Sequence, residues 1–217
     1  MLYLASNSPR RRHLMALGSW KFKLRAVDID ESALPEEAPD EYVVRLAKNK
    51  ARAACAGAER DAIVIAADTT VADGGDILGK PDDDVQAEIM LRRLRGRSHR
   101  VYTALAILRA ADGKMFTDLC VTDVPMRAYS DDEMMAYIDS GDPLDKAGAY
   151  AIQHLGFKPV EKLQGCYANV VGLPLCHLTR TLEEVGCYPD VDIPQACQSS
   201  LAYQCSVYVQ VLHGEDI

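Results

Sequence analysis

The chain has 217 residues, enough for one domain of ordinary size and an appendage. Its hydrophobic share of 48% and charged share of 26% are those of a folded globular protein, and they exclude a disordered, collagen-like or fibrous chain. The 24 basic and 32 acidic residues give a net charge of −8, which argues against a protein whose main task is to bind nucleic acid or an anionic membrane surface.

Short apolar runs alternate with helical patterns in the first half of the chain. Leu2–Ala5 has the pattern of a buried strand. Ser8-Pro9 is typical of a helix start, because serine caps free N–H groups and the fixed φ of proline suits the first helical position. We predict a helix at 9–17 that ends at Gly18, a strand at 22–27, a helix from Asp40 to Gly57, a buried strand at 62–67 and a hairpin turn at 73–76.

The second half combines helices with a long hairpin. We predict a helix at 82–95, antiparallel strands at 101–109 and 115–126, a helix at 131–139, a loop at 141–148, short strands at 160–163 and 167–172, and a helix from Pro174 to about 185. Beyond Gly186 the only periodicity is the alternating VYVQV that begins at Val207. We therefore expect an α/β domain with a mixed sheet over residues 1–186, followed by an acidic, cysteine-containing extension at 187–217.

Three features concern the environment of the protein. The longest apolar run, 62–67, has six residues, whereas a membrane helix needs about 20. The N-terminal segment lacks the order of a signal peptide, so we expect a cytoplasmic protein. The seven cysteines form no C-x-x-C pair and are odd in number, which favours reduced thiols over a zinc site, with disulfides in the tail as the alternative.

Charge is segregated along the chain. Six acidic residues and no basic ones follow residue 182, so residues 1–182 carry a net charge of only −2. Within them, basic and acidic residues alternate in blocks. The ordinary interpretation is solvated helix faces. The alternative is a site in which cations and metal-binding carboxylates surround a polyanionic small molecule.

Four segments carry candidate chemistry. In Ser6-Asn7-Ser8-Pro9-Arg10-Arg11, a strand-to-helix turn offers N–H groups, hydroxyls and guanidinium groups to phosphate oxygens. Asp68-Thr69-Thr70 follows the most buried predicted strand, where a carboxylate can deprotonate a water or help to bind a metal. Lys80 in Gly79-Lys80-Pro81 supplies a cation, and the loop 142–153 ends in Gln153, whose amide can face a nucleobase edge.

The order of these segments carries a resemblance to a known family. LASNSPRR at 4–11, ADT at 67–69, LGKP at 78–81, SGDPLDKAGAYAIQ at 140–153 and NVVGLPL at 169–175 resemble the Maf family of nucleotide pyrophosphatases. The resemblance covers residues 2 to about 185. It implies an elongated α/β fold related to the inosine triphosphate pyrophosphatases, with a deep cleft, a divalent metal cofactor, Mg²⁺ or Mn²⁺, and a homodimer, which is common in the family.

The resemblance also implies roles for individual residues. Asp68 corresponds to the general base and helps to bind the metal, and one of Asp30 and Glu31 is a further metal ligand, with the choice between them left open. The implied phosphate ligands are Ser8, Arg10, Arg11, Lys50 and Lys80.

The subgroup that acts on dTTP and UTP is matched at Arg10, Thr69 and Gln153, so the resemblance implies a preference for pyrimidine nucleoside triphosphates. Two residues depart from the family pattern. Asp142 stands where glutamate is common, and His154 stands where glycine usually follows the glutamine, a change that could narrow the base pocket.

We therefore expect hydrolysis of dTTP and UTP to the monophosphate and pyrophosphate. Asp68 would take a proton from water as it attacks the α-phosphorus, with possible roles in removing modified nucleotides or in cell-division arrest. One alternative is a nucleotide or sugar-phosphate transferase that uses the same cations. The other is a non-catalytic nucleotide-binding regulator of septum formation.

Overall fold

A six-stranded mixed sheet with helices on both faces organises the chain, as expected of an α/β protein. The computed structural model describes residues 1–215. The strands are β1 (Leu2–Leu4), β2 (Phe22–Leu24), β3 (Ile63–Asp73), β4 (Asp76–Leu78), β5 (Ser98–Arg109) and β6 (Lys114–Pro125). The α-helices are α1 (Pro9–Leu17), α2 (Pro39–Cys55), α3 (Asp84–Leu94), α4 (Asp131–Asp139), α5 (Tyr167–Val171), α6 (Leu175–Glu183), α7 (Ile193–Leu201) and α8 (Tyr208–Leu212).

The sheet has a gap beside its longest inner strand. The strand order is β2-β1-β3-β5-β6, with β4 paired to β3, and β1 runs parallel to both of its neighbours. The short β1 reaches only Ile65 of β3, and β4 begins its pairing at Val71. In this register residues 66–70 pair with β5 on one side, while no strand within residues 1–215 pairs them on the other. The gap lies at the carboxyl end of β1, the edge at which α/β sheets usually bind ligands.

Each face of the sheet has its own core. Helix α2 packs on one face, where small side chains such as Ala47 and Ala51 meet Ala66 and Ala106. The opposite face is covered by α1, α5 and α6, with Leu14 and Met15 of α1 fully buried. Because the four alanine side chains are small, α2 can pack close to the sheet. Long polar side chains of α2 can then reach the gap.

A third core lies toward the open end of the long hairpin, near Val101 and Val124. Leu91 and Leu94 of α3 and Met134 of α4 are fully buried there beside Tyr129. Two 3-10 turns, Asp142–Asp145 and Ala147–Ala149, form the predicted loop. None of the helices in residues 1–215 is long and apolar enough to cross a membrane.

Most predicted elements are confirmed, but β3 extends six residues beyond its predicted end at residue 67, and the two predicted short strands differ. Helices 9–17 and 131–139 have the predicted bounds. The predicted strand at 167–172 is wrong, because the segment forms helix α5, whose end is closed by Gly172 at φ 114°. Of the predicted strand at 160–163, only Val160 forms a single bridge, with Met126.

The C-terminal extension contains two helices that the sequence does not predict. The alternating VYVQV segment is helical in α8, not extended. Ile193 of α7 and Val211 of α8 are 2% and 1% exposed, in the same core as Leu14 of α1. The extension as described, residues 187–215, is therefore packed onto the body. Asp216 and Ile217 lie outside the described residues, and the domain boundary at residue 186 stays a prediction.

Candidate active site

The turn between β1 and α1 opens onto the gap in the sheet. Ser8 caps α1, since its Oγ accepts a hydrogen bond from the Arg11 N–H at 3.3 Å, and Pro9 fills the first helical position as predicted. The first turn of α1 holds no acidic residue. The positive end of the helix dipole and the side chains of Arg10 and Arg11 therefore share one location, which favours an anion.

Arg11 is held by uncharged oxygens. Its Nε donates to the carbonyl of Gly172 at 2.8 Å, and its Nη2 donates to Thr69 Oγ1 at 2.9 Å. Burial lowers the pKa of Arg11, against the opposing effect of Asp68, but a guanidinium remains charged at neutral pH. These two contacts fix the guanidinium, and no carboxylate of residues 1–215 forms an ion pair with it, so its positive charge remains available to a ligand.

A chain of buried polar groups supports Thr69 from behind. Thr69 Oγ1 lies 2.9 Å from Thr103 Oγ1, which donates to the carbonyl of Asn169 at 3.1 Å. The Asn169 amide in turn donates to the carbonyl of Val101 at 3.0 Å and to Thr122 Oγ1 at 2.9 Å. Thr103 and Asn169 are fully buried. The chain links β3, β5, β6 and α5, so it fixes the position of Arg11 relative to the whole sheet.

Gly172 is required by this arrangement. Its φ of 114° is rarely adopted by residues with a side chain. A Cβ atom at this position would lie 3.3 Å from Thr69 Oγ1 and 3.5 Å from Arg11 Nε. The glycine of NVVGLPL therefore allows Arg11 to reach the backbone of α5.

Asp68 lies within β3 rather than at a strand end. The expectation that it follows the strand is wrong, because β3 continues to Asp73 and pairs with β5 throughout. Its neighbour β1 has ended by this point, so Asp68 still borders the gap. Asp68 and Thr69 alternate along the strand and point to opposite faces of the sheet.

Lys50 joins two carboxylates. Its Nζ lies 2.6 Å from Asp68 Oδ1 and 2.6 Å from Glu31 Oε1. Asp68 is 6% exposed and Lys50 is 9% exposed, whereas half of the Glu31 side chain is exposed. The three groups together carry one negative charge, opposite in sign to Arg11.

The two carboxylates have pKa shifts of opposite sign. Burial raises the pKa of Asp68 above its ordinary value, against the opposing effects of Lys50 and Arg11. Burial alone would also raise the pKa of Glu31, but Lys50, with Lys80 and Arg11 beyond it, lowers the pKa overall. A carboxylate with a raised pKa is the better proton acceptor, so Asp68 is the better candidate for a general base.

Asp30 and Glu31 differ in their contacts. Glu31 contacts Lys50, whereas the carboxylate of Asp30 accepts from the Ser32 N–H at 2.9 Å in an exposed turn. The acidic loop is fixed by α2, because the Tyr42 hydroxyl donates to the Glu31 carbonyl at 2.9 Å. Burial, followed by the charges of Asp68 and Glu31, raises the pKa of Tyr42 to about 12. Tyr42 thus also borders the site.

The donor set fits a divalent cation of the magnesium type. Among residues 1–215, no group of three or more His, Cys, Asp and Glu side chains is arranged to hold a metal by itself. Mg²⁺ is commonly held by one or two carboxylates, with substrate phosphates and water completing the coordination. Asp68 and Glu31, which share one ammonium group, supply such a pair, so a cation here would depend on a phosphate ligand.

The loop at 140–153 joins the site through Arg10. Arg10 Nη1 donates to Asp145 Oδ2 at 3.3 Å. The Gly148 N–H donates to the carbonyl of Gly79 at 3.0 Å, which attaches this loop to the segment that carries Lys80. Lys80 is exposed, and it is close enough to lower the pKa of Glu31.

Gln153, the candidate for base recognition, and its neighbour His154 differ in how firmly their side chains are held. Gln153 is exposed, and no hydrogen bond to the residues above involves it in the described structure. The His154 ring packs against Tyr137 at 4.7 Å, and its Nδ1 accepts from the Phe157 N–H at 2.9 Å. His154 therefore closes the turn after Gln153. The other departure, Asp142, accepts from the Tyr137 hydroxyl at 2.8 Å.

Several other conspicuous polar residues form structural contacts. His99 is buried with its Nε2 2.8 Å from the Tyr150 hydroxyl, and burial lowers its pKa to about 4. The arginines near the end of α3 form ion pairs, for example Arg93 with Asp73 at 2.7 Å. All seven cysteines are free thiols.

Thr103, Asn169, Gly172 and Tyr42 are site residues that sequence reasoning did not assign. Asn169 and Gly172 lie in the NVVGLPL motif, which is the signal that could have indicated them. Thr103 has no such signal, because an alternating strand pattern does not distinguish a buried hydroxyl from a core residue.

Comparison with known proteins gives matches over most of the chain. A model of the Maf-like protein family matches residues 1–185. A dTTP/UTP pyrophosphatase of Hahella chejuensis (strain KCTC 2396) is 49% identical over 187 residues, which cover 85% of this chain and 92% of that one. A dTTP/UTP pyrophosphatase of Escherichia coli (strain K12) is 47% identical over 175 residues, which cover 80% and 87%. The solved structure of the Staphylococcus aureus Ham1 protein matches with a TM-score of 0.45 at 14% identity, over 73% of this chain and 79% of that one. This last likeness is too low to support an argument.

Proposed function

The chain belongs to the Maf-like protein family, and on this premise we propose that it hydrolyses nucleoside triphosphates, preferably dTTP and UTP, to the monophosphate and pyrophosphate. Two relatives at 49% and 47% identity are named dTTP/UTP pyrophosphatases. The observation that carries the proposal is the pairing, at one gap in the sheet, of a buried carboxylate of raised pKa with a guanidinium held by uncharged oxygens.

The cations receive the triphosphate. Ser8, Arg10 and Arg11 surround the positive end of α1, and Lys50 and Lys80 flank the carboxylates. Arg11 is already fixed by two hydrogen bonds, so it loses little conformational freedom when it binds a phosphate. The deep cleft that the family resemblance implies would lie along the gap beside residues 66–70.

Asp68 acts as the general base. It accepts a proton from the attacking water, the oxygen forms a bond to the α-phosphorus, and the bond from this phosphorus to the oxygen bridging to the β-phosphorus breaks. Pyrophosphate leaves with its negative charge stabilised by Arg10, Arg11 and Lys80. In phosphoryl transfer of this kind, positioning and electrostatic stabilisation provide most of the acceleration.

A divalent cation, Mg²⁺ or Mn²⁺, would be held by Asp68 and Glu31 together with substrate phosphates. When bound, it neutralises phosphate charge and orients the reacting groups. Glu31, rather than Asp30, is the second proposed ligand, because its carboxylate contacts the same Lys50 ammonium group as Asp68.

Base preference is assigned to Arg10, Thr69 and Gln153. Gln153 can pair with the carbonyl and N–H of a uracil-type edge through both groups of its amide. Thr69 acts by holding Arg11, to which it is hydrogen-bonded at 2.9 Å. A cytoplasmic location and a homodimer remain predictions.

The proposal is tested by incubating the protein with common and modified nucleoside triphosphates and Mg²⁺ or Mn²⁺, and by measuring pyrophosphate. We expect pyrophosphate release from dTTP and UTP, without any acceptor, to exceed that from ATP and GTP. Asp123→Asn, which changes an exposed carboxylate on β6, serves as the control for Asp68→Asn. Binding of dTTP without turnover in the presence of metal would instead favour the non-catalytic regulator of septum formation, and transfer to an acceptor would favour a transferase.

A further inference from the structure

The C-terminal extension reaches the segment that leads into α5. The Tyr203 hydroxyl lies 3.0 Å from the carbonyl of Leu163 and 3.1 Å from that of Gly165. Cys205 Sγ lies 3.8 Å from the same Gly165 carbonyl, and the rings of Tyr203 and Tyr167 lie 5.3 Å apart. The loop that follows α7 is therefore attached to Leu163 and Gly165, just before Tyr167, the first residue of α5.

The extension is anchored on both sides of this contact. Ile193 of α7 lies in the core with α1 and α5, and His13 of α1 lies 3.1 Å from Ser200 of α7. At the other end, Arg180 donates to the carbonyl of Val211 at 3.2 Å while it binds Asp118 of β6. Tyr203 is thus held at a fixed position relative to the body.

Helix α5 and Gly172, which caps its end, carry two of the acceptors that fix the phosphate-binding side of the site. The Asn169 carbonyl accepts a hydrogen bond from Thr103 Oγ1, and the Gly172 carbonyl accepts one from Arg11 Nε at 2.8 Å. Because α5 has only five residues, it cannot hold its own position by helix propensity and depends on its tertiary contacts. A displacement of its first turn would move the Gly172 carbonyl and with it the Arg11 guanidinium.

We infer that the C-terminal extension is a positioning element of the phosphate site, which acts through Tyr203 on α5 and from there on Arg11. The match to the family model ends at residue 185, so this element lies outside the matched part of the chain. The inference rests on the proposed function for its kinetic readout, but not for its structural one.

Tyr203→Phe in the full chain tests the inference, with Tyr188→Phe as the control, because Tyr188 belongs to the same extension and is 67% exposed. Hydrogen exchange of the 165–172 amides gives a readout that does not depend on any activity. We expect faster exchange there in Tyr203→Phe and unchanged exchange in Tyr188→Phe. Equal exchange in both variants and the wild type overturns the inference even if the protein hydrolyses dTTP normally.

The kinetic arm separates positioning from a merely structural role. Loss of folded protein would lower kcat and leave KM unchanged, whereas a displaced Arg11 should raise KM for dTTP by about three- to tenfold. In an Arg11→Gln background the effect of Tyr203→Phe on KM should disappear, since the two substitutions act on one interaction. Additive effects contradict the inference. If Tyr203→Phe folds poorly, Cys205→Ala replaces it, because this substitution removes the other contact to Gly165. We expect Cys205→Ala to speed exchange of the 165–172 amides and to raise KM. Wild-type exchange and KM in Cys205→Ala would contradict the inference.

Discussion

Arg11 and Lys50 lie on opposite faces of the same sheet, and their environments differ in charge. Arg11 donates to a carbonyl and a hydroxyl. Lys50 contacts two carboxylates, those of Asp68 and Glu31, at 2.6 Å each. The charge of Arg11 is therefore not offset by a bound carboxylate of the described residues. Lys50, in contrast, belongs to a group of three side chains whose net charge is −1.

The difference assigns separate tasks to the two sides. A cation fixed by uncharged oxygens attracts a polyphosphate without first breaking an ion pair, so the Arg11 side provides affinity. The side that contains Lys50 keeps a buried carboxylate beside a cation, which limits the rise of its pKa while leaving it a proton acceptor. We therefore expect substitutions on the Arg11 side to weaken binding and substitutions on the Asp68 side to slow the chemical step.

The largest effect is expected for Asp68→Asn. Loss of a general base typically costs ~10²- to 10⁴-fold in rate, so kcat for dTTP should fall by that factor while the fold is retained. Steady-state pyrophosphate release measures it, with circular dichroism as the check on folding. Turnover close to that of the wild type would show that Asp68 is not the base.

Arg11→Gln should have the second largest effect. Removal of a charged hydrogen-bond donor costs about 1.5–3 kcal/mol, which corresponds to a loss of affinity for a nucleoside triphosphate of about 10- to 100-fold. Titration calorimetry with an α,β-imido analogue of dUTP measures it. Arg12→Gln, an exposed neighbour on α1, is the matched control. If both variants bind equally well, the assignment of Arg11 to the phosphates is wrong.

Thr103→Val should produce a smaller change on the Arg11 side. The substitution keeps the shape but removes the hydroxyl between Thr69 and the Asn169 carbonyl. Thr69 Oγ1 keeps its hydrogen bond from Arg11, and the Asn169 carbonyl keeps one from the Gly172 N–H. The loss of each Thr103 hydrogen bond should therefore cost about 0.5–1.5 kcal/mol in the free energy of unfolding. We also expect KM to rise more than kcat falls. Thr103→Ser should restore both, and failure of serine to do so would argue for packing rather than hydrogen bonding.

The smallest effects concern pH. Asp68 must be ionised to act as a base, so activity should decline as pH falls through its raised pKa. Lys50 lowers this pKa and Glu31 raises it. Lys50→Met should therefore move the acid limb of the kcat profile to higher pH, and Glu31→Gln should move it to lower pH. Shifts in the same direction in both variants would contradict the electrostatic account.

The elements with strong local signals could be predicted from the sequence. Helix α4 has the predicted bounds because Ser130 and Glu133 form a capping box at its start. The sequence predicts a strand where α5 forms, because valines favour strands. The helical form is fixed by buried hydrogen bonds of Asn169 to β5 and β6. The true length of β3 was missed because Asp68, Thr69 and Thr70 have the composition of a loop.

The site shows the same division. Family motifs identified Ser8, Arg11 and Asp68, and the structure places them around one gap. The sequence could not show which of the adjacent loop residues Asp30 and Glu31 contacts Lys50. The position of Glu31 depends on the hydrogen bond from the Tyr42 hydroxyl to the Glu31 carbonyl. Thr103 could not be found either, since its partners are separated from it by more than 30 residues.

The comparison between the two sides is tested most directly by the affinity for the α,β-imido analogue of dUTP, measured in EDTA for the wild type, Arg11→Gln and Asp68→Asn. Without metal, Asp68 contributes only negative charge near the phosphates. We predict that Arg11→Gln weakens binding by about 10- to 100-fold, whereas Asp68→Asn binds at least as tightly as the wild type. Equal weakening in both variants would contradict the division of tasks between the two cations.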